Sequence, residues 1–405
     1  MNLKNLKNTN LENKTIIIRA DLDALNDKTG EIKNNLRLRL TARTVSEAFN
    51  KGAKNVVLCG HLGRPNKENR ENLSVKNILN SLKQLIDREI IVSPDVGEKR
   101  NQLQSELKPG EVLLLENLRF SEEEKSKDSK IRNKRAEDLR RGCDLAVLDA
   151  AATLHRDKDV SVYEMISSAQ SIAGPTVMEF IESVQGILKP GAKTMAIFGG
   201  SKMADKAEAM LGLAGKVETF CVLGLPSIAF HFASGIKEVG KYKPADEEIE
   251  IAKQIVNKRK SFDDSSLLVS DVFCISKSLD EASEKTKELS EGITEEFFTP
   301  DVAVDYLDKV LEQVKKSDTV FVNGTPGIWE SELHNKGSKY LIDILEKSGK
   351  TIVFGGGDAT GSADKFSNNS DNLIMITAGG ATMEALAKGW QELAGVRALG
   401  DSELL

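Results

Sequence analysis

Short apolar, β-branched runs alternate along the chain with longer segments whose apolar residues recur at helical spacing. Thr15–Arg19, Asn55–Cys59, Glu111–Leu115, Leu145–Asp149, Thr194–Phe198, Phe220–Leu223, Thr319–Val322, Thr351–Phe354 and Leu373–Thr377 predict strands. Ala42–Lys51, Val75–Ile86, Val302–Lys315 and Ser338–Lys347 predict helices between them. Such alternation predicts an α/β fold, with parallel sheets covered by helices on both faces. The strands are too many for one comfortable sheet, and two doubly wound halves fit better. A helical pattern over Thr176–Leu188 is stopped by Lys189-Pro190-Gly191, and a new strand begins at Thr194. The junction between halves is expected on or just before that helix. The charge-rich segments 122–141 and 241–260 read as solvated helix faces. There is no internal repeat and no low-complexity tract.

Length and composition agree with this division. At ~100–200 residues per domain, 405 residues make two domains or three. The net charge is −6, which argues against nucleic-acid binding by bulk charge but leaves room for a local basic pocket. No apolar run approaches the ~20 residues that cross a bilayer. Met1–Lys14 is polar and resembles no signal peptide, so no membrane partner and a cytoplasmic location are expected. Cys59, Cys143, Cys221 and Cys274 are far apart and show no metal-ligand spacing, so structural thiols are the expectation.

The glycines of the second half carry the first chemical signal. Gly199-Gly200-Ser201-Lys202, Asn323-Gly324-Thr325-Pro326-Gly327, Gly355-Gly356-Gly357-Asp358 and Ala378-Gly379-Gly380-Ala381-Thr382 each follow a predicted strand. They fall on one carboxyl edge, where open α/β sheets bind ligands. Helix N-termini there offer free N–H groups, and glycine lets a phosphate approach closely. One such loop is ordinary turn geometry; four together favour a nucleotide or polyphosphate. There is no GxxxxGK[ST], and no GxGxxG follows the first strand, so P-loop and dinucleotide readings are poor. Lys202 and Lys206 are spaced to share a face of a helix opening at Gly200, where the helix dipole disfavours cations and an anion would be welcome. Asp358 is a reasonable single carboxylate for a Mg²⁺ held mainly by phosphates.

The first half carries arginines instead. Arg19-Ala20-Asp21-Leu22-Asp23, His61-Leu62-Gly63-Arg64-Pro65, Glu116-Asn117-Leu118-Arg119-Phe120 and His155-Arg156 lie at or beyond strand ends, and Arg37 follows Asn34-Asn35. Each alone is an ordinary surface residue. Several on one sheet edge would pair with the carboxylate or phosphate of a small polyanion.

Here the residues resemble a known family. His61-Leu62-Gly63-Arg64-Pro65, Leu114-Leu115-Glu116-Asn117-Leu118-Arg119-Phe120, Gly199-Gly200-Ser201-Lys202 with Asp205-Lys206, Gly355-Gly356-Gly357-Asp358 and Gly379-Gly380-Ala381-Thr382-Met383-Glu384 are similar to phosphoglycerate kinase, in that family's order across nearly the whole chain. The resemblance implies two Rossmann-like domains joined by a long helix and hinge. Residues 1–170 would hold phosphoglycerate, 171–189 form the interdomain helix, 190–388 hold the nucleotide, and 389–405 return to the first domain. It implies phosphoryl transfer between 1,3-bisphosphoglycerate and ADP, with ADP or ATP as co-substrate, Mg²⁺, small-molecule partners only, and a monomer. It assigns the triose substrate to Asp21, Arg37, His61, Arg64, Arg119 and Arg156, with Arg37 and Lys202 acting on the transferring group. Lys206, Asn323, Glu330 and the glycines Gly199, Gly200, Gly356, Gly357, Gly379 and Gly380 would hold the nucleotide, and Asp358 the metal.

The chain departs from that family at several positions. Asp23 stands where an Asn is expected, and its charge would oppose an anionic ligand. Leu148 replaces an Asn, Lys158 stands near an expected His, and Thr325 replaces a Pro. The adenine loop reads Gly224-Leu225-Pro226, a further loop reads Phe297-Phe298-Thr299-Pro300, and Ile376 and Ala378 alter the last glycine loop. The chemistry still suits the residues, since a carboxylate acceptor is ionised at pH 7 and needs no strong base. A non-catalytic binding paralogue would keep the fold but lose Arg37, Lys202 and Asp358, and all three are present.

Overall fold

The structure is a computed structural model that describes residues 3–201, 203–283, 285–368 and 370–402. It divides into two units, Met1–Ile181 with Trp390–Leu405, and Glu182–Gly389.

In the first unit, β1 (Thr15–Ala20), β2 (Asn55–Cys59), β3 (Ile90–Ser93), β4 (Val112–Leu115), β5 (Leu145–Asp149) and β6 (Ser171–Ala173) form one parallel sheet in the order β3-β4-β2-β1-β5-β6. β2, β4 and β5 are buried at every position, because helices cover both faces and leave no solvent side to encode. The helix Leu36–Asn50 shows why it packs: Leu38, Thr41, Ala42, Val45 and Ala48 recur at helical spacing and are all buried. At about 1.5–3 kcal/mol per fully buried aliphatic side chain, such contacts outweigh weak local preferences. The chain runs from β1 outward to one side and returns to β5 on the other, so the order reverses between β1 and β5.

The second unit repeats the plan. β7 (Thr194–Phe198), β8 (Thr219–Val222), β9 (Leu267–Val269), β13 (Thr319–Asn323), β14 (Thr351–Gly355) and β15 (Leu373–Ile376) form a parallel sheet ordered β15-β14-β13-β7-β8-β9. Its order reverses between β7 and β13. A separate three-stranded antiparallel sheet, β10 (Val272–Ser276), β11 (Lys285–Glu288) and β12 (Phe298–Val302), has the order β11-β10-β12.

The chain passes between units within the helix Pro175–Ile187 and again between Gly389 and Trp390. The expected interdomain helix began at residue 171, but Ser171–Ala173 is β6, paired with β5. Three residues of Ser, Ile and Ala hold no periodicity, and pairing alone makes them a strand. The helix Ala394–Ser402 belongs to the first unit: Gly395 N donates to Leu154 O at 2.8 Å, and a Cβ at Gly395 would press on Leu154. All four cysteines are free, Cys59 and Cys221 buried, Cys143 and Cys274 half-buried. No described helix is long and apolar enough to cross a membrane.

Candidate active site

The loops after β1, β2, β4 and β5 bring most of the predicted arginines together. Arg64, Arg119 and Arg156 line one cavity of about 670 Å³, with Lys125, His155 and Lys158. Arg119 is fixed by a hydrogen bond to Gly63 O at 2.5 Å, and its buried Nε has no partner among the described residues. Asn117 orders this loop. Its buried amide accepts from Leu62 N and Arg119 N and donates to Leu62 O and Leu73 O, tying the β2 and β4 loops. Arg156 Nη1 reaches His61 Nε2 at 3.0 Å, so His61 joins the cluster from behind. Arg37 and Asp21 form their own pair, Nε to Oδ2 at 3.1 Å.

Asp23 does not stand open to the cluster. Its Oδ1 accepts the Gly63 amide at 2.7 Å, and its Oδ2 lies 3.5 Å from Arg37. The expected repulsion of an anion is therefore partly neutralised within the protein. Arg19 sits in β1, 1% exposed, and donates from Nε to Ser161 Oγ at 2.9 Å. Ser161 Oγ in turn donates to Glu124 Oε1 at 2.5 Å. Grouped in the sequence with the arginines expected to meet a polyanion, Arg19 is instead buried, its arms spent on Ser161, Ala20 and His61, and neither Ser161 nor Glu124 stands out in the sequence. A lone Arg inside the apolar run Thr15–Ala20 was the available signal for the first. Nothing local marked the other two.

In the second unit the switch point is the centre of the arrangement. Gly199 N donates to Asn323 O at 2.9 Å and Gly200 N to Thr325 O at 2.7 Å, so the loops after β7 and β13 are laced together. A Cβ at Gly324, where φ is +92°, would overlap the Gly199 carbonyl. These glycines therefore serve close backbone approach, and their amides are spent inside the protein. Gly356 N likewise donates to Ile376 O at 3.2 Å. Free amides come instead from two helix N-termini, Gly357–Phe366 and Gly379–Lys388, whose first turns lack intrahelical partners. Gly356, Gly357, Gly379, Gly380, Asn323, Lys206 and Asp358 line one cavity of about 440 Å³.

A second cavity of about 490 Å³ holds Glu330 and is walled by Leu225, Phe298, Pro300, Ile328 and Trp329. Asp358 lines both cavities, and Gly200 lines this one. The loop after β7 corrects one expectation. No helix opens at Gly200, whose φ is +89°; a 3₁₀ turn spans Ala204–Lys206, and the α-helix begins only at Ala207. Lys206 thus closes the turn, and Lys202, with which it is expected to share a helix face, lies outside the described residues. Lys206 Nζ donates to Gly199 O at 2.7 Å.

A family model described as phosphoglycerate kinase matches residues 6–388. The chain belongs to the phosphoglycerate kinase family. It is 29% identical to the phosphoglycerate kinase of Pseudothermotoga lettingae, over 98% of each chain. It is 31% identical to the cytosolic phosphoglycerate kinase of Triticum aestivum, again over 98% of each. The solved phosphoglycerate kinase of Coxiella burnetii aligns over 98% of this chain and 99% of its own, at 27% identity and a TM-score of 0.79.

In this phosphoglycerate kinase family member, burial and neighbouring charges shift ionisable groups lining the cavities of each unit. Burial, then Arg19, Arg119, Arg156 and Arg37, hold the His61 imidazole well below its ordinary pKa, so the ring is neutral. Burial lowers the Arg119 and Arg156 guanidinium pKa values; Arg156 and Arg19 press further on Arg119, Arg19 presses on Arg156, and the Asp159 carboxylate opposes the shift of both. Burial also lowers Lys206, opposed by the carboxylates of Asp358 and Asp205. Asp159 offsets part of the charge on Arg119 and Arg156, as Asp358 and Asp205 do for Lys206, and an incoming anion would pair with what remains. Asp301, which no pattern singled out, stands behind the second cavity. Its carboxylate accepts Gly337 N at 2.6 Å and Val302 N at 3.0 Å, and burial raises its pKa to about 7.

Proposed function

We propose that this protein catalyses reversible phosphoryl transfer between 1,3-bisphosphoglycerate and ADP, giving 3-phosphoglycerate and ATP, as a monomer acting on small molecules in the cytoplasm. The observation that carries the reading is the convergence of Arg64, Arg119 and Arg156 on one cavity beyond the first sheet. It is matched by the two helix N-termini after β14 and β15, which with Asp358 and Asn323 line one cavity of the second unit. Membership of the family supports both assignments.

The acceptor is a carboxylate, already ionised at neutral pH, so no group here must act as a base. Catalysis is then positioning and charge stabilisation. Arg64, Arg119, Arg156 and His61 would orient phosphoglycerate, with Asp21 holding Arg37 in place. Arg37 and Lys202 would offset charge on the transferring group. The amides at Gly357 and Gly379–Gly380, with Lys206, would bind the nucleotide phosphates. Asn323 would lie beside them, and Glu330 would take the ribose.

A magnesium ion fits the residues in one particular way. No described group of three or more metal-ligating side chains exists, so no all-protein cage is available. Asp358 is exposed at the start of its helix and has no hydrogen-bond or ion-pair partner among the described residues. That single free carboxylate suits Mg²⁺ carried mainly by phosphates. When bound, the ion would neutralise phosphate charge. A coupled spectrophotometric assay with 3-phosphoglycerate and ATP, with and without Mg²⁺, tests the proposal. Mg²⁺-dependent turnover is expected; nucleotide and phosphoglycerate binding without turnover would make the chain a binding paralogue instead.

A further inference from the structure

His61 is held between two guanidinium groups that cannot both be satisfied by it. Arg19 Nη2 lies 2.9 Å from His61 Nδ1, and Arg156 Nη1 lies 3.0 Å from His61 Nε2. A guanidinium only donates, and a neutral imidazole has one acceptor nitrogen and one N–H. One contact is therefore a hydrogen bond, and the other sets a donor against a donor.

The surroundings decide which is which. Arg19 is 1% exposed and every arm is used: Nε donates to Ser161 Oγ, Nη1 to Ala20 O at 2.5 Å, and Nη2 faces the ring. Ser161 is itself fixed, its amide and hydroxyl both donating to Glu124 Oε1 at 3.1 and 2.5 Å. Glu124 is buried. Arg156 is free by comparison. Its side chain is 27% exposed, it lines the cavity, and its other contact is Asp159 at 3.5 Å. An immobile donor sets the ring; a mobile one can turn away.

We infer that Arg19, braced by Ser161 and Glu124, is a positioning residue that fixes His61 as the Nε2–H tautomer, so that His61 and Arg156 present two donors to one shared anionic oxygen. Resting on the proposed function, that oxygen belongs to phosphoglycerate. The donor-to-donor contact at Nε2 is relieved when the oxygen enters between them. His61 then acts as a neutral donor and adds no charge to the arginine cluster.

Nitrogen NMR of protein labelled with ¹⁵N-histidine tests this directly. The chain has only four His, and His61→Gln assigns the ring in question. The expected spectrum shows a protonated Nε2 and a bare Nδ1, in the native protein and equally in Arg156→Gln. A protonated Nδ1 in the native protein overturns the inference, as does a tautomer that changes in Arg156→Gln. Arg19→Met should move the proton to Nδ1 and raise the KM for 3-phosphoglycerate roughly tenfold, about one hydrogen bond to an anion, with the nucleotide KM unchanged. Arg19→Lys keeps a donor and should restore the native tautomer. Should Arg19→Met not fold, the native and Arg156→Gln spectra still decide. Adding 3-phosphoglycerate should shift Nε2. The expected tautomer with no response to 3-phosphoglycerate overturns the substrate reading while leaving the role of Arg19 in place.

Discussion

Asp23 and Arg37 are coupled: Arg37 Nη1 donates to the Asp23 carbonyl at 2.6 Å and lies 3.5 Å from its carboxylate. Arg37 also pairs with Asp21, so one cation faces two carboxylates. An anionic substrate must compete with both. Asp23→Asn should keep the Gly63 amide bond through its side-chain oxygen while removing one competitor. Because the pair is partly exposed, the gain is modest, a fall in the KM for 3-phosphoglycerate of about two- to fivefold. Steady-state kinetics at low ionic strength would show it. An unchanged or higher KM would mean that Asp23 does not restrain Arg37.

Lys202 and Lys206 should behave differently on removal. Lys206 is tied to Gly199 O and lines the cavity proposed for the nucleotide phosphates, so Lys206→Ala should mainly raise the nucleotide KM. Lys202→Ala should lower kcat by on the order of 10²–10³-fold with little change in either KM, as for loss of one preorganised donor to the transition state. Circular dichroism controls for folding. Near-normal kcat in Lys202→Ala would remove that residue from phosphoryl transfer.

The cavity that holds Glu330, proposed to take the nucleoside, is mostly apolar, with Leu225 in its wall beside Pro326, Ile328 and Trp329. Two polar groups of residues lining it, Thr299 Oγ1 and Trp329 Nε1, are buried without partners among the described residues. The adenine loop expected from the family resemblance keeps one glycine, Gly224, before Leu225-Pro226, so the backbone has lost two positions where it could approach a base closely. GDP should compete with ADP within roughly tenfold, or ~1.4 kcal/mol. A nucleoside diphosphate panel measures the ratio, and a preference for ADP far beyond tenfold would show a specific pocket.

Asp301 should leave a signature in stability against pH. Its pKa is raised by burial from 3.8 to about 7, so the folded protein binds more protons than the unfolded chain between those values. The sign follows: its contribution is fully present below about pH 4 and is lost as pH rises through 7. Asp301→Asn cannot titrate. Urea midpoints of the native protein should therefore fall relative to this variant as pH rises from 4 to 7. Parallel curves across that window would contradict the raised pKa.

Strand runs such as Thr15–Arg19 and Thr319–Val322 were legible because buried parallel strands are mostly apolar and β-branched, and that pattern is local. The motifs at their carboxyl ends were legible for the same reason. Edges were less so: Ile90–Ser93, Ser171–Ala173 and Leu267–Val269 are too short to carry a period. The antiparallel sheet was invisible, since Lys285–Glu288 is a charged, mostly exposed strand made only by its partner's hydrogen bonds.

What the chain determined by itself was the architecture of two α/β halves and the residue types at their binding edges. Apolar periodicity and glycine placement act over a few residues and need no partner to be read. What the tertiary structure decided was how those residues are used. Gly199 and Gly200 spend their amides on Asn323 and Thr325, because β7 and β13 meet at the switch point. Asp23 is quieted by Gly63 and Arg37 from distant loops. Arg19 meets His61, 42 residues away, and Ser161, 142 residues away. Hydrogen bonds and charge act through space over a few ångströms, so groups this remote in sequence acquire their roles only when the sheet brings them together.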